Sequence, residues 1–183
     1  VTPSRLPNQT QEEIRHAVQR ACRLAGLVTG PVHAEMRVNA EGVWLLEVAA
    51  RSIGGLCGTA LNHVLGITLE ELILRHALNE PVALSSSRDG AGVMMIPIPQ
   101  RGIYRGVRNL ESALEVPGIT GIRIMAQAGQ IIAPPPDGAS YLGFIFSLCA
   151  NASEAEVALR LAHATLLFDI QPEYKVREAI SEH

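Results

Sequence analysis

The sequence predicts an α+β fold in two parts, 1–88 and 89–183. Three observations carry that reading. Apolar residues recur at helical spacing behind polar start signals, three times along the chain. Alternating runs joined by Gly-containing loops mark antiparallel strands. A polar stretch over 84–92, with Ser85-Ser86-Ser87 and Asp89-Gly90, reads as a linker between two patterns of different period.

Thr10 and Glu13 have capping-box spacing, and Ile14, Val18, Ala21 and Leu24 follow at helical intervals, so a helix is predicted over 11–25 with Gly26 as its left-handed stop. Two alternating segments, 31–39 and 43–50, flank Ala40-Glu41-Gly42 and predict a β-hairpin with a three-residue loop. A Gly-rich stretch over 51–58 precedes a short helix at 60–65. Thr68 and Glu71 form a second capping box, opening a helix with Leu69, Leu72, Ile73 and Ala77 on one face. In the second part, strands are predicted at 93–98, 103–107, 119–126 and 141–148, separated by Pro99, Pro117 and Pro134-Pro135-Pro136-Asp137-Gly138. Gly143 within the last marks a bend or close packing point. Ser153 and Glu156 suggest a final capped helix bearing Val157, Leu161, Ala164 and Phe168. The tail from Pro172 is charged and is expected to be loosely held.

With 48% hydrophobic and 18% charged residues the chain can build a core. Aromatics at 4% offer no stacking platform, and a net charge of −3 gives no general attraction for polyanions, so nucleic acid is not expected. The apolar runs at 94–99 and 141–150 fall far short of the roughly 20 residues of a spanning helix, so no membrane is expected either. Cys22, Cys57 and Cys149 are odd in number and widely spaced, which fits reduced thiols in a cytoplasmic protein. A small-molecule partner is what remains.

The most informative segment is PVHAEMRVNAEGVWLLEVAARSIGG. A three-residue loop ending at Gly42 pairs Asn39 with Val43, Arg37 with Leu45, Glu35 with Glu47 and His33 with Ala49. One face then collects Val32, Ala34, Met36 and Val38 with Trp44, Leu46, Val48 and Ala50. The other gathers His33, Glu35, Arg37, Glu47 and, just past the strand, Arg51. A slip of one residue would set Glu35 against Leu46 and destroy the sorting. Two carboxylates about 5 Å apart at Cβ repel unless a proton or cation compensates them. Magnesium commonly takes one or two carboxylates plus substrate phosphates. Arg51 on the same face could grip a phosphate or carboxylate bidentately. A solvated face with Arg37 and Arg51 as neutralising partners explains the same residues more blandly. Ser52-Ile53-Gly54-Gly55, which allows close backbone approach to a ligand, tips the balance toward a site.

His33-Ala34-Glu35, Glu47-Val48-Ala49-Ala50-Arg51 and Gly54-Gly55 together resemble the last metal-binding segment of the ATP-grasp superfamily, closest to its L-amino acid ligase group. The segments Gly92-Val93-Met94-Met95 and Tyr141-Leu142-Gly143-Phe144-Ile145-Phe146 resemble the C-terminal domain appended in that group. The resemblance implies the C-terminal part of an ATP-grasp lobe over 1–88, followed by a small, mostly antiparallel α+β domain over 89–183. It implies ATP and Mg2+ (or Mn2+) held by Glu35 and Glu47, an acyl phosphate stabilised by Arg51, and substrate contacts at Gly54. His33, beside Glu35, either contacts substrate or hydrogen-bonds at the strand edge. Many members carry Glu-x-Asn-x-Arg here. This chain has Ala49 in place of the asparagine, so one metal ligand is missing or comes from elsewhere.

The implied activity is amide or peptide bond formation between a carboxylate, such as an amino acid, and an amine. The nucleotide-binding lysines of the superfamily lie upstream of this segment, so the chain is expected to be a piece of a longer enzyme and inactive alone. A bicarbonate-activating, biotin carboxylase-like or carbamoyl phosphate-type ligase is the nearest alternative, and a non-catalytic binding or oligomerisation module the one from another class. Other chemistries lack support. No HxxxH or HExxH pattern is present, so His16, His63, His76 and His163 read as ordinary helix residues. Cys57 has no neighbouring base, and Gly54-Gly55-x-x-Gly58 lacks the lysine of a phosphate-binding loop. Arg101, Arg105 and Arg108 read as a solvated face.

Overall fold

The computed structural model describes residues 1–84, 89–138 and 140–173. The Ser85-Ser86-Ser87 run, the expected division at 88, and the tail beyond Glu173 with His183 lie outside the described residues.

The first part runs α1 (Asn8–Leu24), β1 (His33–Asn39), β2 (Gly42–Ala49), α2 (Gly58–Leu65) and α3 (Leu69–Ala77). The second part runs β3 (Gly90–Ile96), β4 (Gly102–Arg108), α4 (Leu110–Leu114), β5 (Ile119–Ile124), β6 (Ile131–Ile132), β7 (Gly143–Cys149), α5 (Ala152–Thr165) and β8 (Leu167–Gln171). The β1–β2 hairpin is a sheet of its own, and the second part holds two antiparallel sheets in the orders β3-β7-β5 and β6-β4-β8. The α+β class with antiparallel sheets is as the sequence predicts.

Local chemistry explains where predicted boundaries moved. α1 begins at Asn8, ahead of the expected start. Pro7 occupies the N-cap with its φ fixed near −53° and its carbonyl accepts from Gln11 N at 3.0 Å, which leaves Thr10 inside the first turn without a capping role. The box at Thr68 forms in part: its hydroxyl accepts from Glu71 N at 3.1 Å, while the Glu71 carboxylate pairs with Arg75 instead of reaching back. At α5 the cap is Asn151, not Ser153. Its Oδ1 accepts from both Ser153 N and Glu154 N at 3.0 Å, and Glu156 is released to bind Arg5 and Arg160.

α5 also turns a different face inward. Ala155, Ala158, Leu159 and Ala162 are buried, whereas Val157 and Leu161 are more than half exposed. A stripe of alanines lets the helix approach the sheet closely, and Ser147 Oγ on β7 donates to Ala155 O at 3.1 Å across the gap. Phe168 is not on this helix. The chain becomes extended at Leu166, and Phe168 pairs with Val107 because the edge of β4 offers a ladder. The predicted linker over 84–92 is wrong at its C-terminal end, since 90–92 belong to β3. A Cβ on Gly90 would overlap the Asn151–Ala152 backbone, so glycine here serves packing. β6, β8 and α4 were not anticipated.

The core lies in the second part, around Ile96, Leu142, Ile145 and Leu159, with α5 over one face of β3-β7-β5. α2 lies against β3 and β7. The N-terminal segment is tied to the same sheet: Thr2 N donates to Ala91 O at 2.8 Å, Ala91 N donates to Thr2 O at 2.9 Å, and Arg5 pairs with Glu156. Among the described residues of 1–84 only Ala60 is fully buried. No helix among the described residues is long and apolar enough to cross a membrane.

Candidate functional site

Glu35 and Glu47 stand opposite each other in the hairpin, as do His33 and Ala49. The route to that pairing differs from the predicted one. The loop has two residues, so Asn39 pairs with Gly42, Arg37 with Trp44 and Met36 with Leu45. Asn39 Oδ1 accepts from Glu41 N at 2.9 Å and Trp44 Nε1 at 3.2 Å, an Asx-type turn that outcompetes the longer loop. Continued without interruption, this register would set Glu35 against Leu46. A bulge between Glu35 and Met36 absorbs one residue of β2, Leu46, and restores the pairing below it. Trp44 consequently opposes Arg37 on the carboxylate side of the hairpin tip, not among the apolar residues opposite, and is 51% exposed.

The carboxylates are lightly held. Glu35 has no hydrogen bond or ion pair among the described residues. Glu47 has only Arg51, whose Nη2 lies 3.8 Å from Oε1 with both side chains 55% exposed, a contact worth little in water. Arg51 spends one further donor on Ser52 O at 3.1 Å, which leaves most of its fork for another oxyanion. Two opposed carboxylates whose one ion pair among the described residues is this loose Arg51 contact fit a hard divalent cation that completes its shell with phosphate and water oxygens. Among the described residues no group of three or more His, Cys, Asp or Glu converges, so a closed protein-only metal cage is not built here.

Gly54 and Gly55 differ. Gly54 faces open space. Gly55 has φ +63°, and a Cβ there would run into the Met95 side chain of β3. The left-handed backbone is therefore the main reason for Gly55, since the Met95 terminus can shift, and Gly54 is left with open space for a ligand. His33 lines a cavity of 720 Å³ whose walls include Val32, Ile53, Leu69 and Ile73, with His76 and Glu80 also on its lining. The Nδ1 atom of His33 is buried without a hydrogen-bond partner among the described residues. The strand-edge hydrogen bond considered for this histidine is thus not made at Nδ1. Sequence spacing did not bring His76 and Glu80 to His33; the three meet only as lining of one cavity. Burial raises the Cys57 thiol above its ordinary pKa, which suits a packed cysteine and not a thiolate nucleophile.

A family model of the ATP-grasp domain matches residues 1–60, and one of the L-amino acid ligase C-terminal domain 2 matches residues 94–171. An L-amino acid ligase structure from Bacillus licheniformis superposes with a TM-score of 0.80 at 26% identity, covering 92% of this chain and 43% of that one. The chain is thus similar to members of the ATP-grasp superfamily, whose domain model it matches over residues 1–60. Within it, the succession of the two matched domains makes the chain L-amino acid ligase-like. A phosphoribosylglycinamide synthetase from Anaerococcus prevotii shares the fold (TM-score 0.74, 16% identity, 93% of this chain and 44% of that one). A protein of Sinorhizobium fredii called uncharacterized protein y4rH is 22% identical over 171 residues, 93% of this chain and 36% of its own length. The chain thus spans well under half the length of these relatives.

Proposed function

We propose that this chain supplies the metal-binding hairpin and appended domain of an ATP-dependent carboxylate–amine ligase that forms an amide or peptide bond. The observation that carries the reading is the bulge-maintained opposition of Glu35 and Glu47, two carboxylates whose one ion pair among the described residues is the loose contact of Glu47 with Arg51. In the reaction, a carboxylate oxygen of the first substrate bonds to the γ-phosphorus of ATP while the bond to the β,γ-bridging oxygen breaks and ADP leaves. The neutral nitrogen of the amine then bonds to the acyl carbon, the acyl–phosphate C–O bond breaks, inorganic phosphate leaves, and the nitrogen gives up a proton. Magnesium, when bound, neutralises phosphate charge and the charge that develops in phosphoryl transfer.

The chain's own residues have separate tasks. Glu35 and Glu47 offer oxygen donors from two strands, so the ladder fixes the spacing of their backbones and side-chain rotamers bring the oxygens to a shared ion. Arg51 holds the acyl phosphate through its free donors. Gly54 keeps the following loop open to substrate, and His33, whose Nδ1 is buried and unspent among the described residues, is one of the residues lining the apolar cavity. Lys175 is the chain's one lysine, so the cationic side chains that usually cradle ATP phosphates are not among these residues and activity is assigned to the longer protein.

The test uses that longer protein. Glu47→Gln should lower ADP release at saturating magnesium about 100-fold or more, the scale on which lost charge stabilisation and metal affinity are felt. ADP should form only when both a carboxylate and an amine are supplied, with the amide product seen by mass spectrometry. Near-normal turnover of the variant would refute the metal role, and ADP release with bicarbonate alone would move the protein to the bicarbonate-activating class.

A further inference from the structure

The loop that leaves the metal hairpin ends in a tight turn. Cys57 N donates to Gly54 O at 3.2 Å, closing Gly54-Gly55-Leu56-Cys57, and both central residues are left-handed, with φ +63° at Gly55 and +55° at Leu56. Turns with two left-handed centres are dominated by Gly, Asn and Asp. Among the described residues the other non-glycines with positive φ are Asn79 and Asn109, whose short polar side chains suit that backbone. A leucine there stores backbone strain, although the chain places glycines at 54, 55 and 58 around it.

Such strain persists only where the surroundings over-determine it. Here they do. Thr59 N donates to Leu56 O and Ala60 N to Cys57 O, each at 3.1 Å, so the turn runs straight into α2, which lies against β3 and β7. Leu56 also lines a cleft of 370 Å³ together with Thr59, Ile122 and Phe146, and so borders the sheet of the second part. Upstream of the turn the loop is thinly packed. Ile53, 36% exposed, lines both the 720 Å³ cavity and a smaller one of 160 Å³ shared with Cys57, Ala60 and Val93. Gly54 faces open space, and Arg51 N donates to Ala49 O at 2.8 Å. The path from Arg51 to Gly54 is therefore set from its two ends, by β2 and by the turn.

We propose that Leu56 is a positioning residue that acts through this turn on Arg51. The left-handed region open to an L-residue is small, whereas glycine moves between positive and negative φ at little cost. Once seated, the leucine holds the loop to one path, and α2 ties that path to the second part. This rests on the ligase reading above, which gives Arg51 its task, and adds what the second part does for it.

Leu56→Gly and Leu56→Ala in the longer protein separate backbone from side chain: both lose the leucine, and only glycine frees the turn. Leu56→Gly should melt no lower than Leu56→Ala, because glycine takes a positive φ without strain. Its kcat for ADP release, with carboxylate and amine supplied, should nevertheless be about 10- to 100-fold below that of Leu56→Ala, with KM for ATP within about 2-fold, the split expected when a group acting in the transition state is displaced. Amides at 51–54 should exchange faster in the glycine variant than in the alanine one. Leu56→Asn, which tolerates the left-handed backbone with less freedom than glycine, should keep kcat near that of Leu56→Ala. Equal kcat in the glycine and alanine variants overturns the proposal, and so does a glycine variant that melts lower than the alanine one. If the native protein releases no ADP, the ligase reading falls, and the exchange contrast alone then decides whether Leu56 sets the loop.

Discussion

β2 and β7 are alike as sequences: GVWLLEVA and GFIFSLC are both apolar runs ending a predicted strand. Their fates in the fold are opposite. In β7, Phe144 and Ile145 are buried, because α5 covers one face of its sheet and α2 contacts the other. In β2, Trp44, Leu45 and Leu46 are all exposed, since the hairpin has two strands and α1 is its main neighbour. Apolar content therefore says that a strand can be buried, while the layers stacked on it decide whether it is. The second part carries the described core, and the first presents side chains that still lack a partner layer.

The largest test of this contrast is a pair of alanines. Ile145→Ala, at a fully buried site, should destabilise the chain by about 2–5 kcal/mol, whereas Leu46→Ala, 58% exposed, should change it by less than about 0.5 kcal/mol in urea unfolding. Equal effects would mean the two parts share one core. Next, Gly55→Ala should cost about 1–2 kcal/mol from its left-handed backbone and from collision with Met95. Adding Met95→Ala should recover the steric share of that cost, and simple additivity in the double-mutant cycle would show that the contact does not hold the two parts together.

Helix caps sharpen the same comparison. Asn151→Ala should lower global stability by about 1 kcal/mol because α5 packs on the core. Thr68→Ala, on a helix with no buried residue, should instead appear as faster amide exchange within α3 and leave the melting temperature nearly still. The smallest effect concerns the Arg5–Glu156 tie between the N-terminal segment and α5. Hydrogen bonds from Arg160 and then Arg5 hold the Glu156 carboxyl below its ordinary pKa. A carboxylate lowered in the folded state contributes above its unfolded value and loses that contribution as the solution is acidified through its folded value. Glu156→Gln should therefore differ from the native chain near neutrality and converge with it in acid, as read by exchange at Thr2 and Ala91.

Much of the fold was legible where a periodic signal met a local stop. Gly26, with φ +71°, and the Thr68 cap stand where the spacing put them. The helix over 11–25, the two hairpin strands and four strands of the second part are present with shifted ends. What failed did so for long-range reasons. Phe168 fits a helical face as well as a strand, and only the free edge of β4 chose between them. Val157 and Leu161 are more apolar than the alanines beside them, yet the close approach of α5 to β7 selected the small residues. β6 has two residues and carries no period at all.

The candidate site divides in the same way. Opposing glutamates followed from the alternation of His33, Glu35, Glu47 and Ala49, and so did their separation from the apolar face. The bulge that maintains the pair did not follow, because the choice between a two- and a three-residue loop turned on the Asn39 side chain and not on the strand pattern. Nor did the left-handed Leu56 follow, because no local signal marks a leucine for that backbone.

By itself the sequence determined most element types, the pairing of Glu35 with Glu47 and the family resemblance, because periodicity and short motifs are local properties of the chain. Tertiary structure alone decided which apolar faces are covered and which side chain meets Gly55. Those depend on what another layer places opposite a residue, and an element's own sequence does not contain its neighbour.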